Sequence, residues 1–209
     1  MTAPTTPSTT TGRANQKLRT RTAILAAAVE LMRTGQDVSM LEVAKSALVS
    51  EATAYRYFPD LASLLQEAMA GQMPTPQEAL AAVADSHDPV ERVAAATEHL
   101  LRLVLVYQGA TRAMIAATIT RPDTVAARPG LRFGLIDHAL APVADTLGAA
   151  ALQQLKNDLA VVVSAEALFC LTDLCALAPE DAIASAVRTA TTLTRSAVHG
   201  HTPGSGPLI

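Results

Sequence analysis

The sequence contains no tryptophan, and its 209 residues include only 3 Tyr and 3 Phe. Runs of alternating Val, Ile and Thr bounded by Asn-Gly or Asp-Gly turns are also missing, which argues against β-hairpins. Hydrophobic residues nevertheless make up 50% of the chain, and alanine, the strongest helix former, is prominent among them. The composition therefore predicts an all-α protein.

Long uninterrupted apolar runs are missing too. The most apolar stretch, residues 158–178, contains Glu166 and Asp173, whereas a membrane-spanning helix needs ~20 predominantly apolar residues. The N-terminal segment MTAPTTPSTTTG lacks the apolar core of a secretory signal. We therefore expect a cytoplasmic protein, with no membrane contact, whose residues 1–14 and 201–209 are disordered tails.

Residue patterns typical of catalysis or metal binding are not found. Cys170 and Cys175 lie five apart on a predicted helix, so we expect them on different faces, as small buried side chains rather than metal ligands. Glu98–His99 and Asp137–His138 are adjacent pairs, whereas helical metal sites need Glu-x-x-His. Gly-x-Ser-x-Gly, Walker-type loops and His-Glu-x-x-His do not occur. We expect no enzymatic activity, no catalytic residue, no metal and no cofactor.

Charge is distributed unevenly along the chain. The formal net charge is −3, yet Arg13, Lys17, Arg19 and Arg21 precede the first acidic residue, Glu30. An acidic chain with a basic N-terminal arm suits a protein that touches DNA through one small surface.

Helical periodicity and breaker residues divide the chain into two domains. The Gly/Pro cluster at residues 71–76 predicts a boundary between a DNA-binding domain, 15–72, and a larger helical domain, 73–200. Helices are predicted at 16–34, from 39, at 50–57, 60–70, 76–85, 89–107, 110–120, 131–147, 150–177 and 180–199.

Two short predicted helices form a helix-turn-helix at about residues 39–58. Ser39 begins a Ser-x-x-Glu capping box, and Ser50 is placed to cap the next helix after a turn of about three residues. In such a motif the second helix enters the major groove.

The second of these helices carries half of the aromatic residues of the chain. At ~100° per residue, Ala54 and Phe58 fall on one face and should pack inward. The opposite face is expected to meet DNA: threonine and arginine can bind base edges, and tyrosine hydroxyls commonly reach phosphates. The predicted DNA-binding residues are Arg21, Ser39, Ser50, Ala52, Thr53, Tyr55, Arg56 and Tyr57.

Residues 20–65 resemble the N-terminal domain of TetR-type transcriptional regulators. The ordered features that carry the resemblance are Arg21, Ile24–Leu25, Gly35, Ser39, Val49–Ser50, Thr53–Ala54–Tyr55, Tyr57–Phe58 and Leu64–Leu65. Three positions depart from the family pattern. The family often has glycine at Leu48, where a left-handed residue would cost ~1–2 kcal/mol, so we expect a reshaped turn. Ala52 replaces another common glycine, and Leu61 replaces a lysine that contacts phosphate in many members.

The resemblance also implies a larger helical domain for effector binding and dimerisation. An apolar pocket for a hydrophobic small molecule is expected, with Tyr107, Met114, Phe133, His138 and Phe169 as candidate effector-binding residues. The last two long helices are expected to pair between subunits. The predicted dimer-interface residues are Leu155, Leu159, Val162, Ile183, Val187 and Leu193.

The function predicted from the sequence is a homodimeric, ligand-responsive transcriptional repressor that binds double-stranded DNA at a quasi-palindromic operator. One alternative is a helical protein-interaction module whose helix-turn-helix does not bind DNA. Because a basic arm would be superfluous in such a module, removing the arm separates the two hypotheses.

Overall fold

Every regular element that the structure describes is helical. The computed structural model describes residues 9–70, 72–120 and 130–200, and within these ranges it contains no β-strand. This confirms the all-α fold class that the composition predicts.

The structure describes eleven α-helices in residues 9–70, 72–120 and 130–200. They are α1 (Thr9–Met32), α2 (Met40–Ser46), α3 (Glu51–Tyr57), α4 (Leu61–Ala70), α5 (Pro76–Ala79), α6 (Pro89–Val106), α7 (Gln108–Thr120), α8 (Leu131–Leu140), α9 (Ala149–Val162), α10 (Ala165–Phe169) and α11 (Pro179–Gly200). Short 3₁₀ turns follow α5 and α8 at Ala81–Val83 and Ala141–Val143, and a π-helical turn, Cys170–Leu174, follows α10.

The first helix starts earlier than the sequence predicts. Residues 9–14, which the Thr/Pro-rich composition assigns to a disordered tail, continue α1 by nearly two turns. Extending an existing helix adds one hydrogen bond per residue without a new nucleation cost, which favours this continuation. The predicted tails at 1–8 and 201–209 lie outside the described residues.

The described residues separate into two compact units. The N-terminal unit comprises residues 9–73 and 107–120, apart from residue 71, and the C-terminal unit comprises residues 74–106 and 130–200. The sequence pattern assigns residues 110–120 to the larger domain, whereas α7 packs with α4 in the N-terminal unit. The close approach of Gly109 to the chain between α1 and α2 gives the physical reason for this difference.

The core of the N-terminal unit is small and is built from α1, α2, α3 and α4, with α7 packed against α4. Ile24 and Ala28 of α1 are fully buried, as are Leu64 and Leu65 of α4. Ile24 and Ala28 lie about one helical turn apart, which is the spacing of a buried helix face, whereas Leu64 and Leu65 are adjacent and make the buried face of α4 wider. The outer face of α3 does not pack into this core.

The C-terminal unit has its own apolar core, in which α6 packs against α8 and α11. The predicted helix 150–177 is interrupted at Val163 and Ser164. Val163 leaves the helical region with φ −82° and ψ 66°, and Ser164 becomes the N-cap of α10. The serine hydroxyl accepts a hydrogen bond from the Ala167 amide at 3.0 Å, which compensates the break.

Both cysteines are exposed free thiols, which corrects the expectation that they are buried. Cys170 begins the π-helical turn and Cys175 follows its last residue, and the Cys175 amide donates to the Cys170 carbonyl at 3.2 Å. The wider π turn therefore replaces the α-helical geometry that predicts different faces for them.

No single helix among the described residues is long and apolar enough to span a membrane, although α6 and α7 taken together, across a sharp bend, meet the limits of length and composition.

Candidate nucleic-acid interface

Helices α2 and α3 are both fixed at their N-termini by serine caps. The Glu42 amide donates to Ser39 Oγ at 3.2 Å, and the Ser39 amide donates to Glu42 Oε2 at 3.1 Å. This reciprocal pair is the predicted capping box. Ser50 Oγ accepts from the Thr53 amide at 3.2 Å, so the predicted N-cap of α3 is also confirmed. The hydroxyls of Ser39 and Ser50, which the sequence predicts to contact DNA, thus already cap the N-termini of α2 and α3.

The turn between α2 and α3 contains a leucine in a left-handed conformation. Leu48 has φ 55°, its amide donates to the Lys45 carbonyl at 3.1 Å, and the next amide, of Val49, donates to the Ala44 carbonyl at 2.9 Å. This pair of bonds is a Schellman motif, which usually has glycine in the left-handed position. The prediction of a reshaped turn is therefore wrong. Leu48 adopts the left-handed backbone conformation that usually requires glycine, in spite of the steric strain on its side chain.

Replacing Leu48 with glycine should stabilise the N-terminal unit. The leucine side chain is 92% exposed, so the substitution removes almost no packing. Relief of left-handed strain (~1–2 kcal/mol) exceeds the extra unfolded-state entropy of glycine (~0.5–1 kcal/mol), which leaves a net gain of about 0.5–1 kcal/mol. Urea unfolding followed by tyrosine fluorescence measures this unit alone, because Tyr55, Tyr57 and Tyr107 all lie within it.

The matched control for that substitution is the preceding residue. Ala47 has φ −79° and ψ 0°, a conformation that alanine adopts without strain, so Ala47→Gly should lower stability. Equal effects of the two substitutions would show that Leu48 stores no backbone strain.

Helix α3 presents a polar outer face and a buried inner one. Ala54 is fully buried and Phe58 is 2% exposed, which confirms the predicted inward pair. Ala52, Tyr55 and Arg56 are exposed on the outer side. Two further predicted contacts, Thr53 and Tyr57, are half-buried at its edge. The sequence pattern and the structure therefore agree on which face of α3 is free.

Arg21 is engaged inside the N-terminal unit. Its guanidinium donates to both carboxylate oxygens of Glu67, with Nη2 to Oε2 at 2.6 Å, and lies 4.9 Å from the centroid of the Phe58 ring. The hydrogen bonds with Glu67 raise the pKa of Arg21 above its ordinary value, which keeps the group charged. Because Glu67 already balances this charge, Arg21 joins α1 to α4 and is a poorer phosphate contact than the sequence predicts.

Three of the clefts in the N-terminal unit differ in charge. Arg13, Gln16, Lys17, Arg56 and Tyr57 line one cleft between α1 and α3. On the other side of α3, a second cleft includes the carboxylates Glu51 and Asp60. A third, beside the start of α7, includes Asp37, Glu42 and Arg112. Only the first of these is lined without a carboxylate.

The five predicted effector-binding residues do not fall in one unit. Tyr107 and Met114, each 8% exposed, belong to the N-terminal unit. Phe133, His138 and Phe169 belong to the C-terminal unit, and Phe133 is 54% exposed. The effector assignment of these residues stays a prediction.

The predicted dimer residues separate into two groups. Leu155, Leu159 and Ile183 are at most 3% exposed within the C-terminal unit itself. Their side chains leave no surface for a partner, which corrects the prediction for these three. Val162, Val187 and Leu193 are half-buried at the edge of the same core and stay candidates.

One polar group in the C-terminal unit, His99, differs from the satisfied or dimer-facing group that the sequence predicts. Nε2 of His99 is buried and has no hydrogen-bond partner among the described residues, whereas buried polar atoms are normally paired. A histidine on an apolar helix face is more typical of a satisfied or dimer-facing group. The missing partner is a property of the fold, and no sequence signal could have found it.

Comparison with known proteins gives a match to the N-terminal unit. Residues 24–68 match the profile of the bacterial regulatory proteins of the tetR family, and no curated protein sequence matches the chain. A TetR transcriptional regulator from Rhodococcus sp. RHA1 has a similar solved structure, with 23% identity, a TM-score of 0.49, and coverage of 85% of this chain and 97% of that one. That likeness is too distant to bear on this chain's function. The profile match coincides with the capped helix-turn-helix and its free α3 face, so the part of the chain that is similar to these regulators is its helix-turn-helix, and the match supports a DNA-binding transcriptional regulator.

Proposed function

We propose that this chain is a ligand-responsive repressor that binds a quasi-palindromic operator in double-stranded DNA as a homodimer. The observation that carries the proposal is the exposed outer face of α3, on a helix whose serine cap and preceding turn are fully bonded. A rigid, solvent-facing helix of this kind is what major-groove recognition requires.

Base recognition is assigned to the first turn of α3. In helix-turn-helix proteins the N-terminal residues of the second helix reach the base edges. Ala52 is exposed and Thr53 lies at the same end, and their methyl groups suit contact with the methyl group of thymine. Tyr55, which is 47% exposed, has a hydroxyl suited to a phosphate oxygen on the other flank.

A homodimer presents two such helices, and this arrangement favours an operator with two-fold symmetry. Its half-sites would lie about 34–36 Å apart, one turn of DNA, or a multiple of that distance. The C-terminal unit supplies a candidate interface at the half-buried apolar residues Val162, Val187 and Leu193 of α9 and α11, two helices that pack together. Val161, 72% exposed on α9, adds an apolar side chain that a partner would cover.

A charge placed on this surface should separate the subunits. We expect Val187→Glu to sediment as a monomer, because the dimer would have to bury an unpaired carboxylate. Thr189→Glu, at an exposed position two residues along α11, is the matched control and should stay dimeric. Circular dichroism must show the same helix content for both variants. A dimeric Val187→Glu protein would place the interface elsewhere, and a monomeric unmodified protein would refute the homodimer.

The proposed effector is a hydrophobic small molecule with at least one hydrogen-bonding group. The unpartnered Nε2 of His99 supports this composition, because ligand sites combine an apolar lining with a few polar groups that fix orientation. The effector releases the repressor only in so far as it prefers the conformation that does not bind DNA.

A reporter gene behind a selected operator tests whether the regulator represses. Expression of the protein should lower the level of the reporter transcript, and a variant with Thr53→Ala and Tyr55→Ala should leave that level unchanged. A transcript that rises with the protein would make it an activator and overturn the repressor assignment.

A further inference from the structure

The cleft between α1 and α3 has the composition of an anion site. It has a volume of about 360 Å³, and its lining combines three cations, Arg13, Lys17 and Arg56, with the amide of Gln16 and the phenol of Tyr57. Phosphate oxygens accept hydrogen bonds from all of these groups. Among the residues that the structure describes, no carboxylate lines the cleft.

The three cations are not neutralised within the described part of the chain. Arg21, Arg33 and Arg102 each pair with a carboxylate, whereas Arg13, Lys17 and Arg56 have no such partner among the described residues. Like charges placed side by side repel one another, so an anion between them would relieve an unfavourable interaction.

The position of Arg56 on α3 also favours a phosphate over a base. Arg56 is the penultimate residue of α3, whereas base contacts come mainly from the N-terminal turn of a recognition helix. Its guanidinium lies 5.7 Å from the centroid of the Tyr57 ring, and both residues line the cleft. Because α1 begins at Thr9, it extends far enough to supply Arg13 as the opposite wall.

We infer that Arg13, Lys17, Arg56 and Tyr57 form a cleft that binds a backbone phosphate of the DNA, so that Arg56 positions the N-terminal unit and does not read a base. The inference rests on the proposed recognition of an operator and deepens it. It assigns α1 a direct part in DNA binding and leaves sequence discrimination to Ala52 and Thr53.

The test compares Arg13→Gln, Lys17→Gln and Arg56→Gln, singly and combined, with a charge-matched control. Arg19→Gln is that control, because Arg19 is exposed on the same helix and does not line the cleft. Affinity is measured between ~50 and ~200 mM salt for a selected operator, for its single base-pair variants and for an unrelated duplex. Thermal unfolding must show that each variant stays folded.

The cleft variants are expected to weaken binding to all duplexes by the same factor. The combined variant should reduce the slope of log K against log salt by about 0.9 for each phosphate that the protein no longer neutralises. Arg19→Gln should change neither quantity appreciably. Weaker discrimination at one base pair in Arg56→Gln, with an unchanged slope, would make Arg56 a base contact and overturn the inference. So would equal effects of Arg13→Gln and Arg19→Gln. If the unmodified protein binds no duplex, the proposed function itself has failed.

Discussion

Replacing Arg92 with methionine is expected to lower the free energy of unfolding of the C-terminal unit by about 3–4 kcal/mol. Arg92 is 4% exposed, and within the described residues its guanidinium bonds only to backbone carbonyls. Nη1 donates to Val83 at 2.9 Å, and Nη2 donates to His138 at 2.9 Å. Longer bonds reach the carbonyls of Ala84, Ser86 and Ala139.

These carbonyls lie at the ends of two helical segments, which explains the size of the expected loss. His138 and Ala139 are in the last turn of α8, and Val83 ends the 3₁₀ turn that follows α5. Carbonyls at such ends have no partner within the helix and carry the negative end of its dipole. A buried methionine fills much of the space, yet it leaves these acceptors without a donor. Lysine at position 92 should recover only part of the stability, because its ammonium cannot reproduce the planar fork of arginine.

Thermal unfolding followed by circular dichroism measures the effect of Arg92→Met. With about 2–4 °C per kcal/mol for a protein of this size, the midpoint should fall by roughly 10 °C. Arg102→Met is the control, since Arg102 donates to Glu98 and Glu180 from a position half exposed to solvent. Its effect should be much smaller and should fade in high salt. Equal losses of stability in the two variants would contradict the structural role of Arg92.

Replacing Gly109 with alanine is expected to destabilise the N-terminal unit by about 3 kcal/mol and to weaken DNA binding. A Cβ atom at this position would lie 1.8 Å from the carbonyl oxygen of Gln36 and 2.4 Å from its carbonyl carbon. Both are backbone atoms, so the clash cannot be relieved by a side-chain rotation. The start of α7 must move away from the segment between α1 and α2.

That segment leads directly into the helix-turn-helix. Gln36 is three residues before Ser39, whose hydroxyl and amide hold the start of α2. Displacing the segment should therefore disturb the cap of α2 as well as the packing of α7. Urea unfolding followed by tyrosine fluorescence reports on this unit, and operator affinity reports on its function.

Gly12→Ala is the control for the alanine substitution. A Cβ atom at Gly12, in α1 of the same unit, meets nothing within 4 Å. Alanine is the better helix former there, so stability should stay the same or rise by up to ~1 kcal/mol. If Gly109→Ala behaves like Gly12→Ala, the close approach of α7 to Gln36 is not present in solution.

Local chemistry made much of the N-terminal unit predictable. The spacing of Ser39 and Glu42 predicts a capping box by itself, and the separation of Ala54 and Phe58 predicts the buried face of α3. Both features depend on residues within one helical turn of each other. The left-handed backbone at Leu48 was not predictable, because the bonds of Val49 and Leu48 to α2 fix the turn against the preference of leucine.

Features that depend on distant parts of the chain were predicted less well. Leu155, Leu159 and Ile183 carry the same apolar periodicity whether a helix packs inside a protomer or against a partner, so the pattern could not tell the two apart. Arg21 and Arg92 each form hydrogen bonds with residues that lie 46 or more positions away in the sequence. Nothing in the local sequence distinguishes an arginine that binds DNA from one that holds two helices together.

Selection of genomic DNA fragments by the purified protein tests whether it recognises an operator. Each selected fragment is then re-measured at ~50 and ~200 mM salt, since salt separates sequence-specific from electrostatic binding. We expect enrichment of a short inverted repeat that the protein still prefers at the higher salt and that two copies of the protein protect. Failure to enrich any repeat, or binding that disappears for all fragments at ~200 mM salt, would contradict this expectation.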